Sequence, residues 1–180
     1  MKNQYSHCGM MGGRAVELCE PLQTLKSEHS PLTEQMEKLY QASTIIGGNP
    51  SIDNWIEQIK ALKADVIAFV QHLEPHSERE EGVLFPMMAA YIGREMGPIA
   101  VMEYEHDQAK AHLKSFLEKT ANLNLEVKAK EAGEFAALVI QAYFILKEHF
   151  SKEENVLFPM AEQMLSDEEK EELKRKIMTA

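Results

Sequence analysis

The segment His76-Ser-Glu-Arg-Glu-Glu-Gly-Val-Leu-Phe-Pro-Met87 returns as His149-Phe-Ser-Lys-Glu-Glu-Asn-Val-Leu-Phe-Pro-Met160, with eight of twelve positions identical. On a helix, a His followed four residues later by a Glu sets an imidazole and a carboxylate on one face, one turn apart. Two such faces turned towards each other form a binuclear metal site, so the repeat calls for a fold that packs two helices face to face. A shorter echo supports the duplication. Glu28-His29-Ser30 lies 47 residues before His76, and Glu105-His106-Asp107 lies 43 residues before His149. Together the half-repeats offer His29, His76, His106, His149, Glu80 and Glu153, a nitrogen and carboxylate set that suits iron or manganese and also accepts zinc.

Apolar positions recur in steps of three and four through four segments, as bundle-facing stripes do. The first runs Leu18, Leu22, Leu25, His29, Leu32, Met36, Leu39, and the second Ile52, Trp55, Ile59, Leu62, Val66, Phe69, Leu73, His76, Glu80, Val83, Met87 without a slip. The third reads Ile99, Met102, His106, Ala109, Leu113, Phe116, and the fourth Val139, Ala142, Leu146, His149, Glu153, Val156, Met160. All six candidate ligands therefore fall in core register. Gly47-Gly48-Asn49-Pro50, the stretch from Gly93 to Pro98 and the Asn122–Asn124 region separate the segments with helix-stopping chemistry. The expected fold is all-α, an antiparallel up-down four-helix bundle. Ser166-Asp-Glu-Glu169 has capping-box spacing and predicts a short extra C-terminal helix that caps it. Residues 1–20 read as an N-terminal arm and 21–180 as the bundle domain. In each hairpin the chain from turn to ligand is longer on one arm than on the other, an imbalance to be absorbed by the loops or by an offset of the helices.

A formal charge of -10 argues against nonspecific nucleic-acid binding and against an anionic membrane surface. The apolar runs are short and broken by charges, and the N-terminus lacks an apolar signal core, so no membrane association and a cytoplasmic location are expected. Cys8 and Cys19 lack a Cys-x-x-Cys spacing and read as free thiols.

A lone His on a helical stripe is ordinarily a hydrogen-bonded core residue, and a metal-free His–Glu network is the competing reading. Six ionisable groups in core register weigh against it, since each costs roughly 1–3 kcal/mol if left unsatisfied. Glu81 and Glu154 sit one residue past the ligand face, about 100° around the helix, and are expected in solvent or behind the ligands. Glu28 and Glu105 precede the lone His residues and could each orient an imidazole or face water, of which water is the expectation. His72 lies one turn before His76, but Pro75 between them bends it out of reach. His112 is expected to be exposed, and His7 with Cys8 forms a ligand pair that nothing else marks. Pro86 and Pro159, six residues after each Glu, predict a matched kink beyond the site.

The order His29, His76-x-x-x-Glu80, His106, His149-x-x-x-Glu153 resembles the hemerythrin-like, or HHE cation-binding, domain. Met96-Gly-Pro-Ile-Ala-Val-Met-Glu-Tyr-Glu-His-Asp107 and the two Glu-x-Val-Leu-Phe-Pro segments are similar to the repair-of-iron-centres di-iron family. The resemblance implies two non-haem iron ions, oxo- or hydroxo-bridged, held by the four His, with Glu80 and Glu153 bridging; zinc or manganese are possible substitutes. Oxygen-carrying hemerythrins use five His, so a four-His site resembles the repair and sensing branch and leaves more coordination open. The implied function lies in nitrosative and oxidative stress response or iron-sulfur cluster repair, with a diatomic or peroxide ligand and iron-sulfur proteins as partners. The alternatives are a sensing or binding module without turnover, and metal storage. Many repair proteins also carry a cysteine-bearing N-terminal domain, and only about twenty residues precede the bundle here.

Overall fold

The computed structural model describes residues 16–49, 51–123 and 126–179. The predicted arm therefore falls mostly outside the described residues, as do His7 and Cys8. Within them every regular element is helical: α1 (Glu20–Ile45), α2 (Ile56–Arg79), α3 (Phe85–Ile92), α4 (Pro98–Lys119), α5 (Ala129–Lys152), α6 (Phe158–Met164) and α7 (Asp167–Thr179). A five-residue π turn joins α2 to α3 (Glu80–Leu84) and another joins α5 to α6 (Glu153–Leu157). Each of these triplets forms one long rod, so α1, α2–α3, α4 and α5–α6 make the expected four-helix bundle. Helix α1 packs on α2 and α5, and α4 packs on the same two, which closes an up-down ring in which every neighbour is antiparallel. Among the described residues no helix is long and apolar enough to cross a membrane.

The π turns correct the expected register. Proline lacks an N–H and its ring crowds the carbonyl four residues back. Ahead of Pro86 the ladder widens, and Phe85 N–H bonds to the Glu80 carbonyl; Phe158 N–H and the Glu153 carbonyl do the same ahead of Pro159. One extra residue in the turn rotates everything after it. Leu84, Phe85 and Met88 are buried in place of Val83 and Met87, and Leu157, Phe158 and Ala161 in place of Val156 and Met160. Val156 is 47% exposed while Leu157 is 1% exposed. The uninterrupted stripe predicted for these segments thus slips by one after each Glu, and a π turn stands where a simple kink was expected.

Two apolar clusters result. Trp55, Phe69, Phe116 and Phe135 belong to the larger one at the loop end. Leu25, Phe85, Met102, Phe158, Leu173 and Ile177 belong to the smaller one, under α3, α6 and α7. Helix α7 packs on α1 and the first π turn. It starts with the predicted capping box, in which Ser166 N–H donates to Glu169 Oε2 at 2.8 Å and Glu169 N–H to Ser166 Oγ at 3.3 Å. The connections 46–55 and 120–128 are tied to each other: Trp55 N–H donates to the Val127 carbonyl (3.1 Å) and Val127 N–H to Asn54 Oδ1 (3.2 Å). At Gly47, φ is +78° and an added Cβ would stand 2.7 Å from the Ala129 carbonyl oxygen, so only glycine brings the first loop this close to α5.

Candidate metal centre

Between the two apolar clusters lies a layer of polar side chains contributed by all four rods. His29 comes from α1, His76 from the last turn of α2, His106 from α4 and His149 from the last turn of α5. Glu80 and Glu153 open the two π turns and are fully buried. The i, i+4 spacing survives the change of helix type because both π turns begin at the Glu. His76 Nε2 lies 3.3 Å from Glu80 Oε2, and His149 Nε2 lies 3.3 Å from Glu153 Oε1. The other two imidazoles reach across the bundle: His29 Nε2 is 3.3 Å from Glu153 Oε2, and His106 Nε2 is 3.6 Å from Glu80 Oε2.

The six side chains form two overlapping quartets, His29–His76–Glu80–Glu153 and Glu80–His106–His149–Glu153, in each of which one ligand atom per residue lies within 4.8 Å of the others. Both carboxylates are common to both quartets. All four Nε2 atoms and all four carboxylate oxygens are buried without a hydrogen bond of acceptable geometry among the described residues. Such atoms cost about 1–3 kcal/mol each, more when charged, and here they point at one another. A pair of cations fits this donor set: carboxylates and imidazole nitrogens presented together, with the carboxylates placed to be shared. The aromatic rings of Phe150 and Phe158 lie against His29 at 4.3 and 5.6 Å between centroids, which keeps the layer dry on that side.

The metal-free electrostatics show the same frustration. Burial pushes the Glu80 carboxyl well above the usual carboxylate range, and the charge of Glu153 beside it adds to the shift. Burial works against the ionisation of Glu153 too, but His149 and His29 overcome it and hold Glu153 low. Burial favours neutral His149, yet Glu153 and Glu105 push it up to about 9. Burial moves His76 and His106 down.

Each imidazole turns its other nitrogen outward to a second carboxylate. His76 Nδ1–H donates to Glu28 Oε2 at 2.7 Å, His106 to Glu81 Oε1 at 2.6 Å, His149 to Glu105 Oε2 at 3.3 Å and His29 to Glu154 Oε1 at 2.9 Å. Each of these carboxylates also meets a cation: Arg79 with Glu28 and Lys110 with Glu81 at 2.6 Å, Lys26 with Glu154 at 3.4 Å, and Lys152 with Glu105. Glu28 and Glu105 were expected to face water, and the structure corrects this: they turn inward because the partner imidazole on the next helix lies within reach. Glu81 and Glu154 stand behind the ligands. The cations escaped the sequence reading, although each sits three or four residues from a His on its own helix, a spacing that marks them. Accepting hydrogen bonds from His106 and Lys110, the Glu81 carboxyl is held at about 2, by His106 first and Lys110 second, against the opposing effect of burial.

His72 joins neither quartet; it is exposed and hydrogen-bonded to Gln35 at 2.9 Å. His112 also lies outside both quartets and is partly buried, not exposed as expected. A recess of about 360 Å³ between α1 and α2 is lined by Glu28, His72 and Arg79, and one of about 410 Å³ between α4 and α5 by Glu105 and Lys152. Both bring solvent to within one carboxylate of an imidazole in the central layer.

The hemerythrin HHE cation binding domain matches residues 20–161. The chain is 40% identical over 104 residues to the iron-sulfur cluster repair protein YtfE of Musicola paradisiaca (strain Ech703), a match covering 56% of this chain and 46% of that protein. It is 39% identical over 95 residues to the protein of the same name from Citrobacter koseri, covering 51% and 42% respectively. The matched segments thus span a little under half the length of these relatives. Because the family match extends over residues 20–161 and takes in all six inward His and Glu, the chain belongs to the hemerythrin HHE cation-binding domain family.

Proposed function

We propose that this chain holds two non-haem iron ions through His29, His76, His106, His149, Glu80 and Glu153, and serves in the cytosolic response to nitrosative and oxidative stress, including the repair of iron-sulfur clusters. The observation that carries this reading is the convergence of eight buried, unpartnered ligand atoms in two quartets that share both carboxylates. His29 and His76 would hold one ion and His106 and His149 the other, with Glu80 and Glu153 available to both. Bound there, two irons supply redox-active positions at which nitric oxide, dioxygen or peroxide can bind and exchange electrons. The protein's part is to present each Nε2 lone pair at a fixed angle, to neutralise the pair with two carboxylates, and to limit water with Phe150 and Phe158. The repair role is supported by the likeness to proteins named for iron-sulfur cluster repair.

The test combines metal analysis of protein purified without added metal with two assays: consumption of nitric oxide or peroxide, and reactivation of an enzyme whose iron-sulfur cluster has been damaged by nitric oxide. Two irons per chain with reactivation supports the proposal. Zinc alone, or no metal, removes the di-iron reading. Iron with stoichiometric ligand binding, no turnover and no reactivation turns the function into sensing or binding.

A further inference from the structure

The four outer carboxylates are arranged in a closed circuit. Glu28, next to His29 on α1, holds His76 on α2; Glu81, next to Glu80, holds His106 on α4. Glu105, next to His106, holds His149 on α5, and Glu154, next to Glu153, returns to His29 on α1. The links are of two kinds. Glu28 and Glu105 each connect two histidines of the same quartet. Glu81 and Glu154 connect the quartets, because each is covalently adjacent to a shared carboxylate and grips a histidine one helix further round.

We propose that Glu81 and Glu154, carried on the π turns, couple the two metal positions so that filling one organises the other and the chain loads two ions nearly all-or-none. This rests on the metal-centre reading above and goes beyond it. When an ion at the first position recruits Glu80 together with His76, the turn Glu80–Leu84 is fixed, and Glu81 next door locks His106 for the second position. Glu153 and Glu154 do the reverse for His29. The adjacent carboxylates diverge: Glu80 is fully buried, whereas Glu81 lies at the rim with about a third of its side chain exposed and within reach of Lys110. Nδ1–H donation to a carboxylate also fixes the tautomer that leaves Nε2 free for the ion. Glu81 and Glu154 are positioning residues, since neither is a member of a quartet.

Native mass spectrometry of the metal-free full chain titrated with cobalt(II) or zinc(II) alone tests the coupling without any activity assay. At one ion per chain, wild type is expected to show the empty and two-ion forms, with the one-ion form depleted about tenfold relative to independent sites. Glu81→Ala/Glu154→Ala is expected to restore the one-ion form to the independent-site level. Glu81→Gln/Glu154→Gln, whose amide oxygens can still accept from Nδ1–H, is expected to recover most of the depletion and shows that the Ala variant did not act by misfolding. Glu28→Ala/Glu105→Ala is expected to weaken both positions while leaving the one-ion form depleted. Independent loading in wild type, or coupling unchanged in the Glu81/Glu154 Ala variant, overturns the proposal even if two ions bind. Failure of either ion to bind overturns the metal-centre reading itself.

Discussion

An imidazole has two nitrogens, and at this centre each is given a separate task. Nε2 faces the shared carboxylates and Nδ1 faces an outer carboxylate backed by Lys or Arg. Loss of a ring and loss of its support should therefore differ in kind. His76→Ala and His149→Ala each delete a donor atom and leave a shared carboxylate short of a partner, so purified protein should lose most of its metal. Glu81→Ala and Glu154→Ala leave all six donors in place, and near-full metal content is expected when metal is saturating. Their cost should emerge in affinity, about 10- to 100-fold by competition with a chelator. Equal loss of metal in all four variants at saturation would contradict the division of labour. Reading the residues alone identified the six inward side chains, because each sits in core register and the His-x-x-x-Glu pair occurs twice. It misplaced Glu28 and Glu105, because their partners lie on a neighbouring helix and no spacing within one helix encodes that.

At the scale of the element, the π turn decides which side chains are core. The apolar pattern could not locate it: Val83, Leu84 and Phe85 are all apolar, as are Val156, Leu157 and Phe158, so the stripe reads equally well with or without a slip. Pro86 and Pro159 were the visible signal, and they mark the disturbance without specifying its form. The two registers make opposite predictions for adjacent residues. Val156→Asp should change stability in denaturant unfolding by no more than about 0.5 kcal/mol, as exposed substitutions do. Leu157→Asp places a carboxylate in the smaller apolar cluster and should cost more than about 3 kcal/mol or prevent folding. The reverse order would restore the uninterrupted helix. Helix α7 was legible for a local reason, since its capping box is encoded within four residues and needs no knowledge of the rest of the chain.

On the scale of the whole molecule, a buried polar layer divides the hydrophobic core in two, and its charge state links metal binding to pH. Without metal, His149 is raised to about 9 and therefore protonated at pH 7, and Glu80 is raised above the ordinary carboxylate range by burial and by Glu153. His149 must lose its proton to serve as a ligand. Because a raised folded-state value means that the proton is held up to that pH, metal and proton compete throughout the range below about 9. Apparent affinity should consequently climb with pH from 6 towards 9 and level off above it. Calorimetry at pH 7 in buffers of different ionisation enthalpy should detect net proton release on loading; no release would contradict the assigned protonation. Metal should also raise the thermal midpoint, since it binds the folded layer and relieves its unpartnered atoms.

The central claim is that two overlapping quartets hold two irons, and the direct test is the number and identity of metal ions in the intact chain produced in iron-replete cells and purified without added metal. The account predicts two irons per chain, falling together in His76→Ala and His149→Ala. A single ion, zinc in place of iron, or metal content indifferent to these two substitutions would contradict it.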